Sequence, residues 1–277
     1  MKARERFRAQ LPLKLRDADA GATPLRNGDA KQVSKEDIKR RERDATDALT
    51  ARLSELQQML FATRKAKVLL VLQGMDTSGK DGTLRALFSR INPMGLRGVQ
   101  FKAPSLNELA HDFLWRVHLQ VPAAGEIAIF NRSHYEDVLV PRVHEQIDSK
   151  ECKRRYGHIR DFERMLAETG TVVIKVFLHI SREEQRERLQ ARLDDPDKQW
   201  KFDPNDVAQR KLWDDYHRAY EHAIEATDAD HAPWYVIPAD SKIHRNLQVA
   251  TLLLEIMEDL KLSYPAPDPE LSKLIID

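Results

Sequence analysis

Val68-Leu-Leu-Val-Leu-Gln-Gly-Met-Asp-Thr-Ser-Gly-Lys-Asp-Gly-Thr-Leu-Arg-Ala-Leu-Phe88 is the stretch that decides the fold of this chain. The apolar run from Val68 to Leu72 has the length of a buried strand, and the segment from Thr83 to Phe88 resumes as a helix. Between them lies a loop bracketed by Gly74, Gly79 and Gly82 that carries G-x-x-x-x-G-K. In a strand–turn–helix context this pattern is a phosphate cradle. Its glycines let the backbone bend around an anion, its amides and the helix N-terminus face that anion, and Lys80 adds a mobile positive charge. Gly74, Thr77, Ser78, Gly79, Lys80, Asp81 and Gly82 are therefore candidate phosphate-binding residues. Asp81 stands where Ser or Thr usually follows the lysine. The hydroxyl that ligates magnesium in the usual pattern is missing, so the metal must be held differently.

Working outward, residues 1–33 carry scattered charges together with Pro12, Gly21, Pro24 and Gly28, and they read as an extended or partly disordered arm. Ser34-Lys-Glu-Asp37 is a helix start, and Leu49, Leu53, Leu56 and Leu60 extend it as an amphipathic helix over about 35–64. Short strands are expected at Gly98–Phe101, Glu126–Phe130, Val172–Leu178 and Trp234–Ile237. Helices are expected from Ser105 to about Leu119, Lys150 to Glu168, Ser181 to the Asp194-Asp-Pro-Asp197 break, Asn205 to about Ala226, and Asn246 to Leu260. The tail around Tyr264-Pro-Ala-Pro-Asp-Pro269 reads as coil. Strands alternating with helices imply right-handed β-α-β units: an α/β fold with a parallel sheet covered on both faces.

The chain has 277 residues, 42% hydrophobic and 32% charged, with a formal net charge of +1. That suits a packed domain and gives no overall attraction for a polyanion. No apolar stretch is long enough to cross a membrane, and no apolar run follows the basic residues at the N-terminus as a secretory signal requires. The single cysteine, Cys152, excludes an internal disulfide and a thiolate metal cluster. Cytoplasm is the expected compartment. No basic-aromatic module supports nucleic-acid binding, and the histidines show no metal-ligand spacing.

In a parallel sheet of this kind ligands bind beyond the carboxyl ends of the strands. The loop at 74–82, Lys102, Asn131-Arg132 and the segment from His179 to Arg182 all fall there. After the third expected strand comes Asn131-Arg-Ser-His-Tyr-Glu-Asp137. Arg132 reaches the cleft in this reading, and Glu136 or Asp137 supplies the acid that nucleoside triphosphatases place near such a strand end. The alternative is a surface arginine and acids favoured by a helix N-terminus. Asp76, inside the loop, would repel phosphate unless magnesium lay between them, so it is a candidate metal ligand or substrate-orienting base. Asp81 is either near the metal or a helix-dipole partner. The segment from Arg186 to Lys201, with Arg188, Arg192, Lys198 and Lys201, has the form of a lid that closes over a transferring phosphoryl group. A salt-bridged helix is the alternative for any one of its arginines.

These pieces resemble the second polyphosphate kinase family, from about residue 35 to the C-terminus. The resemblance rests on Gly74-Met-Asp-Thr-Ser-Gly-Lys-Asp-Gly82, Phe101-Lys-Ala-Pro-Ser105, His111-Asp-Phe-Leu-Trp-Arg116, Phe130-Asn-Arg-Ser-His-Tyr-Glu-Asp137 and Arg188-Leu-Gln-Ala-Arg-Leu-Asp-Asp-Pro196. It implies a three-layer α/β/α P-loop kinase fold, with residues 34–277 as one domain and a helical lid at about 182–203. It also implies reversible, magnesium-dependent transfer of a terminal phosphoryl group from inorganic polyphosphate to AMP, ADP or both, with GMP and GDP as further candidates. By the resemblance Asp76 binds or orients through the metal, with Glu136 as a second candidate ligand. Lys80 holds the transferring phosphate, and Arg132 and Arg192 offset its charge. Lys80, Lys102, Arg116, Arg132 and Arg142 line a polyphosphate channel. Asn131 where some members carry Asp, and Glu136 where some carry Asn, resemble the branch acting on both mono- and diphosphates. A homo-oligomer is also implied. The rival readings are an ATP-dependent nucleoside monophosphate kinase and a non-catalytic nucleotide-binding regulatory module.

Overall fold

The structure, a computed structural model, describes residues 1–26, 33–274 and 276. Among these residues five strands form one all-parallel sheet in the order β2-β3-β1-β4-β5. They are β1 (Lys67–Gln73), β2 (Leu96–Gln100), β3 (Ile127–Asn131), β4 (Thr171–His179) and β5 (Trp234–Pro238). Leu72 of β1 is level with Asn131 on one side and Val176 on the other. The loop that leaves β1 therefore opens between the ends of β3 and β4, where the strand order reverses and a crevice forms.

The helices are α1 (Ala3–Phe7), α2 (Asp17–Ala20), α3 (Lys35–Thr63), α4 (Lys80–Phe88), α5 (Leu106–Leu109), α6 (Trp115–His118), α7 (Glu136–Val143), α8 (Ser149–Glu168), α9 (Arg182–Leu193), α10 (Pro204–Lys211), α11 (Trp213–Thr227) and α12 (Lys242–Asp259). Alternate strand residues serve the two faces. Val68, Leu70, Leu72, Ile174, Val176 and Leu178 pack with Leu53, Leu56 and Leu60 of α3, Leu87 of α4, and Leu252, Leu253 and Ile256 of α12. Leu69, Val71, Phe130, Val173 and Phe177 pack with Leu139 of α7, Ile159 and Phe162 of α8, and Tyr220 and Ile224 of α11. Both faces being covered explains why β1 and β4 read as apolar runs, broken in β4 only by Lys175. The architecture is the expected three-layer α/β/α arrangement.

Caps mark several starts. Ser34, Ser105 and Ser181 each accept the backbone N–H three residues on, from Asp37, Glu108 and Glu184. Four expectations need correction. The helix expected over 105–119 is two short pieces, because Asp112 accepts the Leu114 N–H on its side chain and interrupts the ladder; Leu109 is exposed. The helix expected over 205–226 breaks at Leu212, whose ψ of 22° leaves the helical region. This lets Trp213 bury against the sheet while α10 buries no residue. The last helix starts at Lys242, capped by Ser241, and α7, with Pro141 inside it, was not foreseen.

The arm is the fourth correction. Residues 1–26 are docked, with Ala3, Phe7, Ala9, Leu13 and Leu15 in the two core clusters. Ala9 N–H bonds the Trp234 carbonyl, and the Leu13 and Leu15 amides bond Glu225 and Glu221 of α11. Phe7, Ala9, Leu13 and Leu15 fall on alternate positions, but Pro12 interrupts the run and a short alternation does not say where the segment docks, which is why the sequence reads as an arm. Residues 27–32, Gly28 among them, lie outside the described residues.

Candidate active site

The loop between β1 and α4 is shaped from behind. Gly74 has φ of +152°, and a Cβ there would come within 2.7 Å of the Leu178 carbonyl. Gly79 has φ of +100°, and a Cβ would fall 1.8 Å from Arg245 Nη1. Gly74 excludes a side chain on conformation and on space; at Gly79 the backbone angle disfavours one, and the Arg245 guanidinium would have to move to admit it. Thr77, not a glycine, is also left-handed at φ 63°. Arg188 uses all five of its donors here. Nε bonds Glu184 (2.7 Å), Nη1 bonds the Thr77 and Ser78 carbonyls (2.9 and 3.1 Å), and Nη2 bonds the Ala239 and Asp240 carbonyls (both 2.7 Å). Arg188 is 7% exposed. The placement corrects the expectation of a lid residue that contacts phosphate: Arg188 ties the loop to the end of β5.

On the open side, Lys80 Nζ bonds the Gly74 and Met75 carbonyls at 2.7 and 3.3 Å. Arg132, at the end of β3, takes a left-handed backbone (φ 63°), a strain of about 1–3 kcal/mol for a residue with a side chain. Its guanidinium bonds Asp76 Oδ1 at 2.7 Å and lies 3.6 Å from Glu136 Oε2. Glu136 also accepts from Gln73 Nε2 at 3.2 Å. Asn131 donates to Asp81 Oδ1 at 2.6 Å, so amide and carboxylate span the positions next to the lysine. Burial pushes the Lys80 ammonium below its usual range and Arg132 adds to this, while Asp76, Glu136 and Asp81 oppose it. Burial raises the Glu136 carboxyl against the pull of Arg132 and Lys80. Asp137 is raised by burial too, although Arg116 Nη2 bonds it at 3.0 Å.

A cavity of about 710 Å³ opens over this floor. Its lining includes Phe101, Lys102, Arg116, Asp137 and Arg155, then Gln185, Asp206, Arg210, Tyr216 and Tyr220, together with Gly74, Asp76, Arg132 and Glu136. Arg116 is held by the Lys102 carbonyl (2.8 Å) and lies over the Phe101 ring. The structure thus brings Asp76, Lys80, Arg132, Glu136, Asn131 and Asp81 together, with Lys102, Arg116 and Asp137 alongside. Of the segment expected as a lid, Gln185 and Asp203 line the cavity, but Arg188, Arg192, Lys198 and Lys201 do not. Arg192 lies 3.4 Å from the Lys201 carbonyl and 3.7 Å from Asp206. Lys198 pairs with Asp195, and Lys201 lies over the Trp200 ring. Arg142 turns to Ser149 Oγ (3.1 Å), away from the cavity that the channel reading gave it. Sequence reasoning missed Arg245, Gln73, Gln185, Asp206, Tyr216 and Tyr220. Those on α10, α11 and α12 lie more than a hundred residues from the loop, and no local motif marks them.

Comparison with known proteins follows the same lines. A family model described as Polyphosphate kinase 2 (PPK2) matches residues 34–264. An AMP/ADP-polyphosphate phosphotransferase of Meiothermus ruber is 52% identical over 84% of this chain and 88% of its own. An ADP-polyphosphate phosphotransferase of Rhodopseudomonas palustris is 45% identical over 81% of this chain and 82% of its own. The crystal structure of polyphosphate kinase 2 from Arthrobacter aurescens TC1 superposes with a TM-score of 0.91 at 42% identity, covering 99% of this chain and 95% of that one.

Proposed function

Since this chain belongs to the polyphosphate kinase 2 family, we propose that it moves the terminal phosphoryl group of inorganic polyphosphate onto AMP and ADP. The donor is shortened by one unit and the acceptor gains one, reversibly. The single observation that carries this reading is the Asp76–Arg132–Glu136 group set beside Lys80 at the floor of a cavity with a cationic wall. The assignment of both AMP and ADP follows the relative named for both, which shares more identity with this chain than the relative named for ADP alone.

Phosphoryl transfer passes through a loose transition state, so the protein mainly positions groups and neutralises charge. Arg132 is paired with Asp76. An incoming phosphoryl group competes for that guanidinium and draws it from the carboxylate. Lys80, depressed by burial and by Arg132, regains a counter-charge in the same step. Lys102, Arg116 and Arg155 give the long polyanion a cationic wall. Tyr216 and Tyr220, in the same lining, suit a planar base.

The donor set fits magnesium. Among the described residues no cluster of three or more His, Cys, Asp or Glu forms a metal cage, and magnesium usually takes one or two carboxylates, substrate phosphates and water. Asp76 would hold it, with Glu136 as the second candidate. When bound, it offsets phosphate charge and orients the oxygens. Within this reading the segment at about 182–203 closes over the bound nucleotide, bringing Arg192 inward.

The test is incubation with polyphosphate and magnesium, without ATP, and AMP, ADP, GMP or GDP in turn. ADP and ATP should form from AMP, and ATP from ADP. Product from ATP and AMP alone would favour a monophosphate kinase instead.

A further inference from the structure

Arg245 projects from the first turn of α12 into the back of the phosphate loop and is 2% exposed. Its Nη1 donates to the Ser78 carbonyl at 3.2 Å, and Nε and Nη2 donate to Asn246 Oδ1 at 3.2 and 2.8 Å. Asn246 Oδ1 in turn accepts from Thr83 Oγ1 of α4 at 3.5 Å. The Ser78 carbonyl also accepts from Arg188. Two buried guanidiniums therefore hold one carbonyl of the loop, and one of them fills the space where any side chain at position 79 would stand.

Two consequences follow. A trans peptide is planar, so its N–H points opposite to its C=O. With the Ser78 carbonyl held toward the arginines, the Gly79 amide faces the other way, toward the cavity side of the loop. A flipped peptide would instead present an oxygen to an anion. Charge gives the second. Among the described residues no carboxylate lies within 4 Å of Arg245, while Arg188 has Glu184 at 2.7 Å. An unpaired buried cation is costly. Burial and the neighbouring Arg188 push the Arg245 guanidinium down to about 9.

We infer that Arg245 is a positioning residue for the phosphate-loop site, fixing the Ser78–Gly79 peptide and finding its counter-charge in the phosphate chain bound on the opposite side of the loop. This rests on the proposed function only in taking the bound anion to be a phosphate chain. The arginine adds to the case for a glycine: a side chain at position 79, already strained by its backbone angle, would also displace the guanidinium from the Ser78 carbonyl. It also links the loop to α12, so the anion site is built from both ends of the domain.

The test uses the full chain and three proteins: wild type, Arg245→Met and Arg245→Lys. Calorimetric titration with inorganic tripolyphosphate and with ATP gives affinities without turnover, melting curves give stability, and kcat and KM are read with whichever donor the wild type uses. The expected result is a loss of tripolyphosphate affinity of about tenfold or more in Arg245→Met, with KM for the donor raised in step. Arg245→Lys should fall between, since one ammonium can reach Ser78 or Asn246 but does not bracket both. A purely structural arginine would lower the melting temperature and the active fraction while Kd and KM stayed at wild-type values; that outcome overturns the inference. So does Arg245→Lys within about twofold of wild type in Kd, which decides the matter alone if Arg245→Met does not fold. A wild type that uses ATP and ignores polyphosphate would overturn the proposed donor, while the affinities for ATP and tripolyphosphate would still judge Arg245.

Discussion

Replacing Arg188 by methionine (Arg188→Met) removes the five contacts that fasten the loop to α9 and to the end of β5. Methionine keeps much of the aliphatic stem but donates nothing. Four carbonyls and the Glu184 carboxylate lose a partner in a site where Arg188 is 7% exposed. The contacts act as a unit, so their energies do not add; breaking a buried charged bracket costs about 3–5 kcal/mol. At about 2–4 °C per kcal/mol for a chain of this size, the melting temperature should fall by roughly 6–20 °C. Differential scanning calorimetry measures the fall, and turnover measured well below the new midpoint separates stability from chemistry. A phosphate ligand on a lid would behave differently: the midpoint would hold and kcat/KM would collapse. A shift under about 2 °C with a large loss of turnover would refute the bracket, because surface arginines remote from such networks behave that way.

Other outcomes follow from the same geometry. Lys80→Ala should cut kcat by about 10²–10³-fold or more with a small change in melting temperature, since its Nζ bonds only loop carbonyls; steady-state kinetics and calorimetry check both. Glu136→Gln tests a pH dependence. The folded carboxyl is raised above 4.5 by burial, so the native state binds more protons and wild-type stability falls as pH rises from 4.5 through the folded value. The variant lacks that slope. Its midpoint should match wild type below pH 4.5 and exceed it at neutral pH, and an equal gap at all pH values would contradict this. Lys175→Met should strand Glu163, its fully buried partner at 2.6 Å, and lower stability by about 3–5 kcal/mol while kcat of the folded enzyme holds. Denaturant unfolding and active-site-normalised rates decide it.

The sheet was legible because β1 and β4 are buried on both faces, so their runs are apolar apart from Lys175, whose charge is met inside the core by Glu163. The helix starts at Ser34, Ser105 and Ser181 were legible because a cap is a local hydrogen bond. Where helices stop was less so. Asp112 and Leu212 break the ladder through one side chain and one backbone angle, and the tertiary burial of Trp213 favours the second break. At the site, Asp76, Lys80, Arg132 and Glu136 sit within motifs that local spacing identifies, and the fold sets them side by side. Arg188 lies on the expected helix but fastens the loop instead of sitting on a lid, because its partners at Ala239 and Asp240 are 51 and 52 residues away in sequence. Arg245 carries no local signal at all. Its role exists only after α12 packs beside α4, and a glycine was its one trace in the sequence.

The transferred phosphoryl group should come from polyphosphate, not from a nucleotide. Phosphorus-31 NMR of the full chain with magnesium, AMP and polyphosphate of defined length, free of ATP, follows donor and acceptor together. The expected spectrum shows ADP and then ATP growing as interior chain signal is lost, one unit per phosphoryl group gained, without a matching rise in orthophosphate. Unchanged AMP and polyphosphate from a folded protein that phosphorylates AMP once ATP is supplied would contradict the account.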